Sequence, residues 1–244
     1  MLKNKKVFWI TFVALISASL TVVLWSGRQE NESYEAMACA FENKKMNCLD
    51  SVDQWQRGLA YFDSCLSVNN DTLGALKSLL WDFWNIEFAG AGAEAVSKES
   101  VLPLRVLQNK KSGCMGLSWL AMMVAEARNV PLEVVLLPGH VFLRYGSREN
   151  GFYVNMEPNR EGFSYSDDEY REKYKDGTWT GLEFKPLTCR HFVGLAAFNM
   201  GNYFLDSNPR QALTWYRMAE DFFSEYPGIS VNQKIAKSRL PDHL

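Results

Sequence analysis

Apolar residues recur at helical spacing through residues 34 to 88. The stretch from Ser51 has Ser51 as a candidate N-cap, and a second stretch from Asp71 repeats the pattern with Asp71 as its cap. Both stretches predict helices that act as packing elements. The small, polar and glycine-containing segment 88–100 predicts a loop or linker, with a domain boundary near residue 100. The face expected to be buried on the first helix consists of Val52, Trp55, Leu59, Phe62 and Leu66.

The spacing of apolar residues changes after residue 100, where the pattern predicts one helix followed by three short strands. The helix begins at Cys114 and ends near Arg128, with Pro131 beyond it. The segments LEVVLLP, HVFLRY and GFYVNME are rich in β-branched and aromatic residues, and turn residues GSRENG separate the last two. This order places Cys114 at a helix N-terminus, His140 at the start of a strand, and Asn155 and Glu157 on the next strand. The apolar face expected for the helix is Leu117, Leu120, Ala121 and Val124.

The C-terminal part predicts two antiparallel helices joined at Asp206 to Pro209. Between the strands and these helices, the charged stretch SDDEYREKYKDG is interpreted as a solvated loop. The predicted fold class is therefore α+β, with flanking helices around a small core.

An apolar segment at the N-terminus predicts one transmembrane helix. The chain is uncharged from Val7 to Gly27, long enough to cross a hydrocarbon core of about 30 Å, and lysines precede it. Lysines before the span favour a cytoplasmic N-terminus. The bulk of the chain is then expected on the periplasmic side of an inner membrane. A cleaved signal peptide ending near Ser17 to Ser19 is the alternative, and a lipoprotein is disfavoured because Cys39 lies beyond the apolar segment.

Composition and charge limit the kinds of molecule that the chain is expected to bind. The chain has 244 residues, 47% of them hydrophobic, with eight tryptophans and a formal net charge of −2. One catalytic domain with accessory helices fits this length. Nucleic acid is excluded as a partner, because its binding relies on clustered Lys and Arg that neutralise phosphates.

Five cysteines in an exported chain call for an explanation, because oxidising compartments favour pairing. Two disulfides and one free thiol fit the count, and unpaired buried cysteines are the alternative. The sequence has neither C-x-x-C nor H-E-x-x-H, and Cys189 with His191 offers too few ligands for a closed zinc site. We therefore expect neither a metal nor a cofactor. The absence of a G-x-S-x-G segment disfavours a serine hydrolase.

Cys114 and His140 together have the residue types that thiol chemistry needs. A helix N-terminus and an adjacent imidazolium both stabilise a thiolate. The histidine then transfers protons, and an acidic or amide side chain fixes its orientation. Gly113 and Gly116 are interpreted as making room for a substrate backbone, and the Cys114 amide as an oxyanion donor.

These residues carry a resemblance to a known family. The segments SGCMGLSWLAMMVAEARNVPLEVVLLPGHVFLRY and GFYVNMEP resemble the transglutaminase-like superfamily, in its bacterial branch, over roughly residues 100 to 165. The resemblance implies a papain-like core with Cys114 as nucleophile, His140 as general base and acid, and Glu157 as the residue that orients the histidine. Much of the superfamily has aspartate at the last position. Asn155 is the second choice for that role.

The resemblance extends to the chain's organisation. Ala212, Tyr216 and Ala219 follow tetratricopeptide spacing, so residues 189–244 are similar to one such helical unit, which implies packing on the core or on a protein partner. The remaining regions are predicted as an anchor at 1–27, helices at 28–99 and the catalytic core at 100–188. Gln108 stands where papain-like enzymes carry an oxyanion-hole glutamine, but it is interpreted as an exposed helix residue.

The predicted activity is hydrolysis of an amide in a protein or peptide substrate through a thioester at Cys114. Two alternatives stay open: transfer of the acyl group to an amine, as in a transglutaminase, and an inactive core that serves as a binding scaffold.

Overall fold

Helices surround a small antiparallel sheet in the computed structural model, which describes residues 32–45 and 47–240. The predicted membrane anchor at residues 1–27 lies outside the described residues. Within the two described ranges, no helix combines the length and apolarity needed to cross a bilayer.

The elements follow the chain in the order helices, sheet, helices. The α-helices are α1 Tyr34–Phe41, α2 Asp53–Asn69, α3 Thr72–Lys77, α4 Lys98–Val101, α5 Pro103–Asn109, α6 Cys114–Arg128, α7 Asp167–Lys173, α8 Cys189–Phe204, α9 Pro209–Phe222 and α10 Pro227–Ser238. The strands are β1 Glu87–Phe88, β2 Lys111–Ser112, β3 Leu132–Leu137, β4 His140–Ser147 and β5 Phe152–Met156. A π-helical turn at Ser78–Phe83 and a 3-10 turn at Pro158–Arg160 complete the set.

The helices predicted before residue 88 are present, and one of the two predicted caps is correct. Asp71 accepts a hydrogen bond from the Gly74 N–H at the start of α3. The Ser51 cap is wrong, because α2 begins at Asp53 with Val52 in the cap position and without a side-chain cap. The Ser51 hydroxyl donates to the Cys48 carbonyl instead.

The three predicted strands form one antiparallel sheet in the order β3-β4-β5. Leu137 pairs with His140 across a tight turn in which Gly139 has φ of 65°, a left-handed conformation that glycine adopts without strain. This turn fixes His140 as the first residue of β4. The mixed helical and strand content confirms the predicted α+β class.

Helix α6 lies in the middle of the core. Every residue from Met115 to Ala125 is buried, so the buried surface extends around the whole helix rather than along the one predicted face. Helix α1 is attached to it by the Trp119 indole, which donates to the Tyr34 carbonyl at 2.9 Å. An all-round apolar helix of this kind is typical of a core element.

The charged stretch after β5 is a helix, so its interpretation as a solvated loop was wrong. Ser166 and Glu169 form a reciprocal capping box at the start of α7. Asp167 and Tyr170 lie on the buried face of α7, and its other charged residues are exposed.

The C-terminal hairpin is present and packs on the core. Segment 184–187 runs along β3, where the Phe184 and Leu187 N–H groups donate to β3 carbonyls, and α8 follows directly. Phe192 of α8 then meets Trp119 of α6 edge to face. The described residues from Tyr34 onward form one compact unit, and the domain boundaries predicted at residues 99 and 188 stay predictions.

All five cysteines lie in the described ranges, and they form one disulfide rather than the two that the count suggested. Cys39 and Cys48 are bonded. Cys65, Cys114 and Cys189 remain thiols.

Candidate active site

Cys114 is the first residue of α6 and is half-buried. Its thiol therefore lies at the positive end of the helix, where the N–H groups of the first turn favour negative charge. The two neighbouring glycines have a different role from the one predicted. Both are buried, and a Cβ on Gly116 would lie 2.2 Å from the Ser100 carbonyl oxygen. They allow close packing of α6 on the chain before it, rather than access for a substrate backbone.

Strand register brings Glu157 to His140. Leu143 pairs with Met156, so Glu157 follows opposite Phe142, on the same sheet face as His140 two residues away. Oε2 of Glu157 lies 2.9 Å from Nε2 of His140, and both side chains are almost completely buried. The contact holds the ring with Nε2 toward the carboxylate.

The other side of the imidazole faces Cys114. Because Nε2 is bound to Glu157, Nδ1 is the ring nitrogen left for the thiol hydrogen bond. Burial alone raises the pKa of Cys114, but the charge of His140, its hydrogen bond and the Val141 N–H outweigh burial and lower the pKa below its ordinary value.

The same contacts raise the pKa of His140. Burial alone lowers it, but Cys114 and Glu157 together raise the pKa of His140 to about 10. The opposite shifts of thiol and imidazole favour a thiolate and imidazolium pair at neutral pH.

Glu157 is held by two further donors. The Asn159 N–H donates to Oε1 at 3.0 Å, and the Tyr170 hydroxyl donates to Oε2 at 3.2 Å. Burial raises the pKa of Glu157, but His140 and the Asn159 N–H lower it below the ordinary value. The carboxylate is therefore ionised where it contacts the imidazole.

Asn155, the second choice for the orienting role, has other partners. It pairs directly with Arg144 across the strands, and its Oδ1 accepts from Arg144 Nε at 3.0 Å. Its Nδ2 donates to Asp167 and to the Tyr165 carbonyl. The choice of Asn155 is thus corrected. It shares a sheet face with Glu157, but it lies opposite Arg144, whereas Glu157 lies opposite Phe142, which is two residues nearer to His140 along β4.

Helix α7 and Tyr174, the residue directly after it, cover this sheet face and supply contacts that the sequence analysis missed. The ring of Tyr174 stacks on His140 with centroids 5.5 Å apart and planes 6° apart, and Tyr170 stacks on Phe142 at 4.3 Å. Asp167 accepts from the buried guanidinium of Arg144 at 2.8 Å. The capping pair Ser166 and Glu169 was the available signal for this helix.

A cavity of about 140 Å³ opens beside Cys114 and His140. Its far wall belongs to the C-terminal helices, which the sequence analysis placed only as a packing or partner-binding unit. The lining residues from that region are Leu195, Phe198, Asn199, Asn202 and Tyr226.

The remaining candidates lie away from the thiol. Gln108 is exposed on α5, as expected for a surface helix residue. His191 contacts Glu225 at 3.3 Å and stacks on Phe223. In residues 32–45 and 47–240, no group of three His, Cys, Asp or Glu is placed to hold a metal ion.

Such a constellation can perform acyl transfer. A lowered thiol pKa supplies a nucleophile, and an imidazolium held by a carboxylate supplies a proton for a leaving group. The adjacent cavity gives a reacting group access to the sulfur.

The sequence profile of the transglutaminase-like superfamily matches residues 47–192. This range is more than half of the chain and includes Cys114, His140 and Glu157. The match ends within the first turn of α8, so the rest of the C-terminal helices lies outside it. No curated protein matches the chain.

Proposed function

Because the chain belongs to the transglutaminase-like superfamily, we propose that it is a cysteine hydrolase, a peptidase or amidase, that cleaves an amide through a thioester. Cys114 is the nucleophile, His140 the general acid and base, and Glu157 the residue that orients the histidine. The observation that carries the proposal is the buried contact of His140 with both Cys114 and Glu157, with the thiol pKa lowered and the imidazole pKa raised.

The first half of the reaction forms the thioester. The Cys114 thiolate attacks the amide carbonyl carbon, and the resulting tetrahedral oxyanion accepts a hydrogen bond from the Cys114 N–H at the start of α6. The C–N bond then breaks as the His140 imidazolium protonates the departing nitrogen. Glu157 stabilises the imidazolium until that transfer.

The second half releases the acyl group. Neutral His140 takes a proton from water, the hydroxide oxygen attacks the thioester carbonyl, and the thiolate leaves. An amine in place of water gives the transglutaminase outcome with the same residues. Water is the default acceptor because the cavity beside Cys114 is open on one side and admits solvent. Trapping the thioester and comparing its release with and without an added amine separates the two reactions.

Alkylation of Cys114 tests the nucleophile. We expect wild-type Cys114 to react with iodoacetamide well below pH 7, because His140 lowers the thiol pKa. In His140→Ala, Cys114 loses the contacts with the imidazole that lower its pKa, while the thiol stays buried. The pH at which Cys114 becomes reactive should therefore rise above about 8.5. The modified peptide is followed by mass.

His191→Ala is the matched control, because it removes an imidazole from a different region, where His191 stacks on Phe223. It should leave the Cys114 profile unchanged. A wild-type profile that matches an ordinary thiol would contradict the enzyme proposal and favour the inactive scaffold. In that case the C-terminal helices, as a tetratricopeptide-like unit of the bacterial branch, become the candidate site for a protein partner.

We also propose that the enzyme is anchored in the inner membrane by residues 1–27 and works on the periplasmic side. The apolar run from Val7 to Gly27 supports the anchor. The disulfide between Cys39 and Cys48 supports an oxidising compartment, because such bonds persist mainly outside the cytosol.

A further inference from the structure

We propose that the C-terminal helices form a specificity subsite in the cavity beside Cys114, which selects substrates with one small or medium-sized, uncharged side chain beside the amide that Cys114 attacks. The inference rests on the proposed function and adds a substrate class to it. The family match ends at residue 192, before the C-terminal residues that line the cavity, so the match assigns those residues no role.

The size of the cavity favours some occupants over others. Its volume is about 140 Å³. An enclosed protein cavity of about 150 Å³ holds one benzene molecule, so this half-open cavity accommodates one small or medium side chain better than an indole. The apolar part of the wall comes from both the core and the hairpin, namely Met115, Leu136, Val141, Leu195 and Phe198.

The charge of the lining also limits the occupant. Apart from Cys114 and His140, the residues that line the cavity are uncharged. A buried charge without a partner is costly, so carboxylate and ammonium side chains are disfavoured there. The polar members are Asn199, Asn202 and Tyr226.

Asn202 provides an oriented donor in this wall. Its Oδ1 accepts from the Tyr216 hydroxyl at 2.8 Å and from Asn232 Nδ2 at 2.7 Å. The oxygen is thus occupied, which leaves the Nδ2 group to donate to a carbonyl of the substrate. Such a donor adds direction to an otherwise apolar subsite.

The wall is fixed to the core. Leu187 donates to the Val134 carbonyl at 2.8 Å, one residue before the Thr188 cap of α8. Phe198 packs against Tyr216 and Tyr226 with ring centroids 5.7 and 5.3 Å away. The subsite therefore keeps its shape relative to Cys114.

N-acetyl aminoacyl chloromethyl ketones test the subsite, because the Cys114 thiolate displaces chloride from them and forms a C–S bond only when the side chain is accommodated. We compare the leucine, aspartate, lysine and tryptophan probes on the intact chain, each divided by the iodoacetamide rate of the same protein. The leucine probe should react at least about tenfold faster than the other three, because pocket fit discriminates by about 10- to 200-fold.

Two variants connect that selectivity to the hairpin. Leu195→Ala enlarges the cavity and should raise the relative rate of the tryptophan probe. Asn199→Asp adds a negative charge and loses one hydrogen bond inside α8, from Asn199 Nδ2 to the Leu195 carbonyl, so the fold should be kept. We expect it to raise the relative rate of the lysine probe. Asn150→Asp makes the same charge change in the exposed β4–β5 turn and should have no effect.

The two proposals fail in different ways. If Cys114 reacts with iodoacetamide at low pH but the four probes react alike, or Asn199→Asp leaves the lysine probe unchanged, the subsite is overturned and the hydrolase remains. If Cys114 behaves as an ordinary thiol toward iodoacetamide, the proposed function is overturned and the subsite with it.

Discussion

Three side chains hold the imidazole of His140. Cys114 and Glu157 contact its two edges, and Tyr174 stacks on its face. Glu157 extends from the end of β5, and the Asn159 N–H and Tyr170 hydroxyl hold its carboxylate on the histidine. The glutamate where much of the superfamily has aspartate is therefore accommodated by its own set of donors.

Substitution of Glu157 tests the orienting role. Glu157→Gln removes the charge that stabilises the imidazolium, and Glu157→Asp shortens the side chain by one methylene. We expect either change to lower the rate of Cys114 alkylation at pH 6 by roughly tenfold or more, because one pKa unit corresponds to a factor of ten. Glu161→Gln, at an exposed site in the next turn, is the control and should react like wild type. Equal rates in all variants would exclude Glu157 from the site.

Tyr170→Phe tests the donor behind Glu157. Loss of the hydroxyl removes one hydrogen bond to the ionised carboxylate, so the pKa of Glu157 should rise toward its ordinary value. The acid side of the alkylation profile then moves to higher pH. At neutral pH we expect a loss of roughly tenfold or more, since a hydrogen bond to a charged group contributes about 1.5–3 kcal/mol and about 1.4 kcal/mol is a factor of ten. An unchanged acid side would show that Tyr170 serves packing alone.

At the scale of elements, α7 holds the sheet face that carries the site. Asp167 and Tyr170 of α7 meet Arg144 and Phe142 of β4. Tyr174, the residue directly after α7, meets His140, so the three contacts fall on alternate positions of β4. The helix is anchored at its first turn by the buried ion pair between Asp167 and Arg144.

Breaking that pair should loosen the whole helix. Asp167→Ala leaves the buried Arg144 charge without its main partner, so we expect a loss of about 3–5 kcal/mol in the free energy of unfolding, measured by urea denaturation. Asp168→Ala, at the exposed neighbour, should stay within about 0.5 kcal/mol of wild type. Similar values for the two variants would mean that Arg144 finds another partner.

Local sequence patterns predicted the helix and the strands that carry the site, but the pairing of β4 with β5 determines the geometry of the site. The helix at Cys114 and the three strands follow from periodicity and turn residues. The choice between Asn155 and Glu157 depends on which β4 residue each one meets, and register is a long-range property. The helix at 167–173 was missed because its charged face dominated the pattern, although Ser166 and Glu169 signalled its start.

At the scale of the whole molecule, the proposed anchor and the disulfide together predict where the protein is found and the state of its cysteines. In a bacterial host, the full chain should stay with membranes after alkaline carbonate extraction, whereas a chain that starts at residue 28 should be released. Cys39 and Cys48 should resist maleimide labelling until reduction, because they are bonded to each other. Release of the full chain, or labelling of both cysteines without reduction, would contradict the periplasmic proposal.

The segment 184–187 has one more consequence, which concerns how the protein tolerates truncation. It occupies the outer side of β3, whose sequence LEVVLL is apolar and β-branched. An uncovered strand of this composition is a template for pairing between chains. A fragment cut before residue 184 would keep Cys114, His140 and Glu157 and yet be prone to aggregate, so a fragment for crystallisation or expression should retain at least residues 184–187.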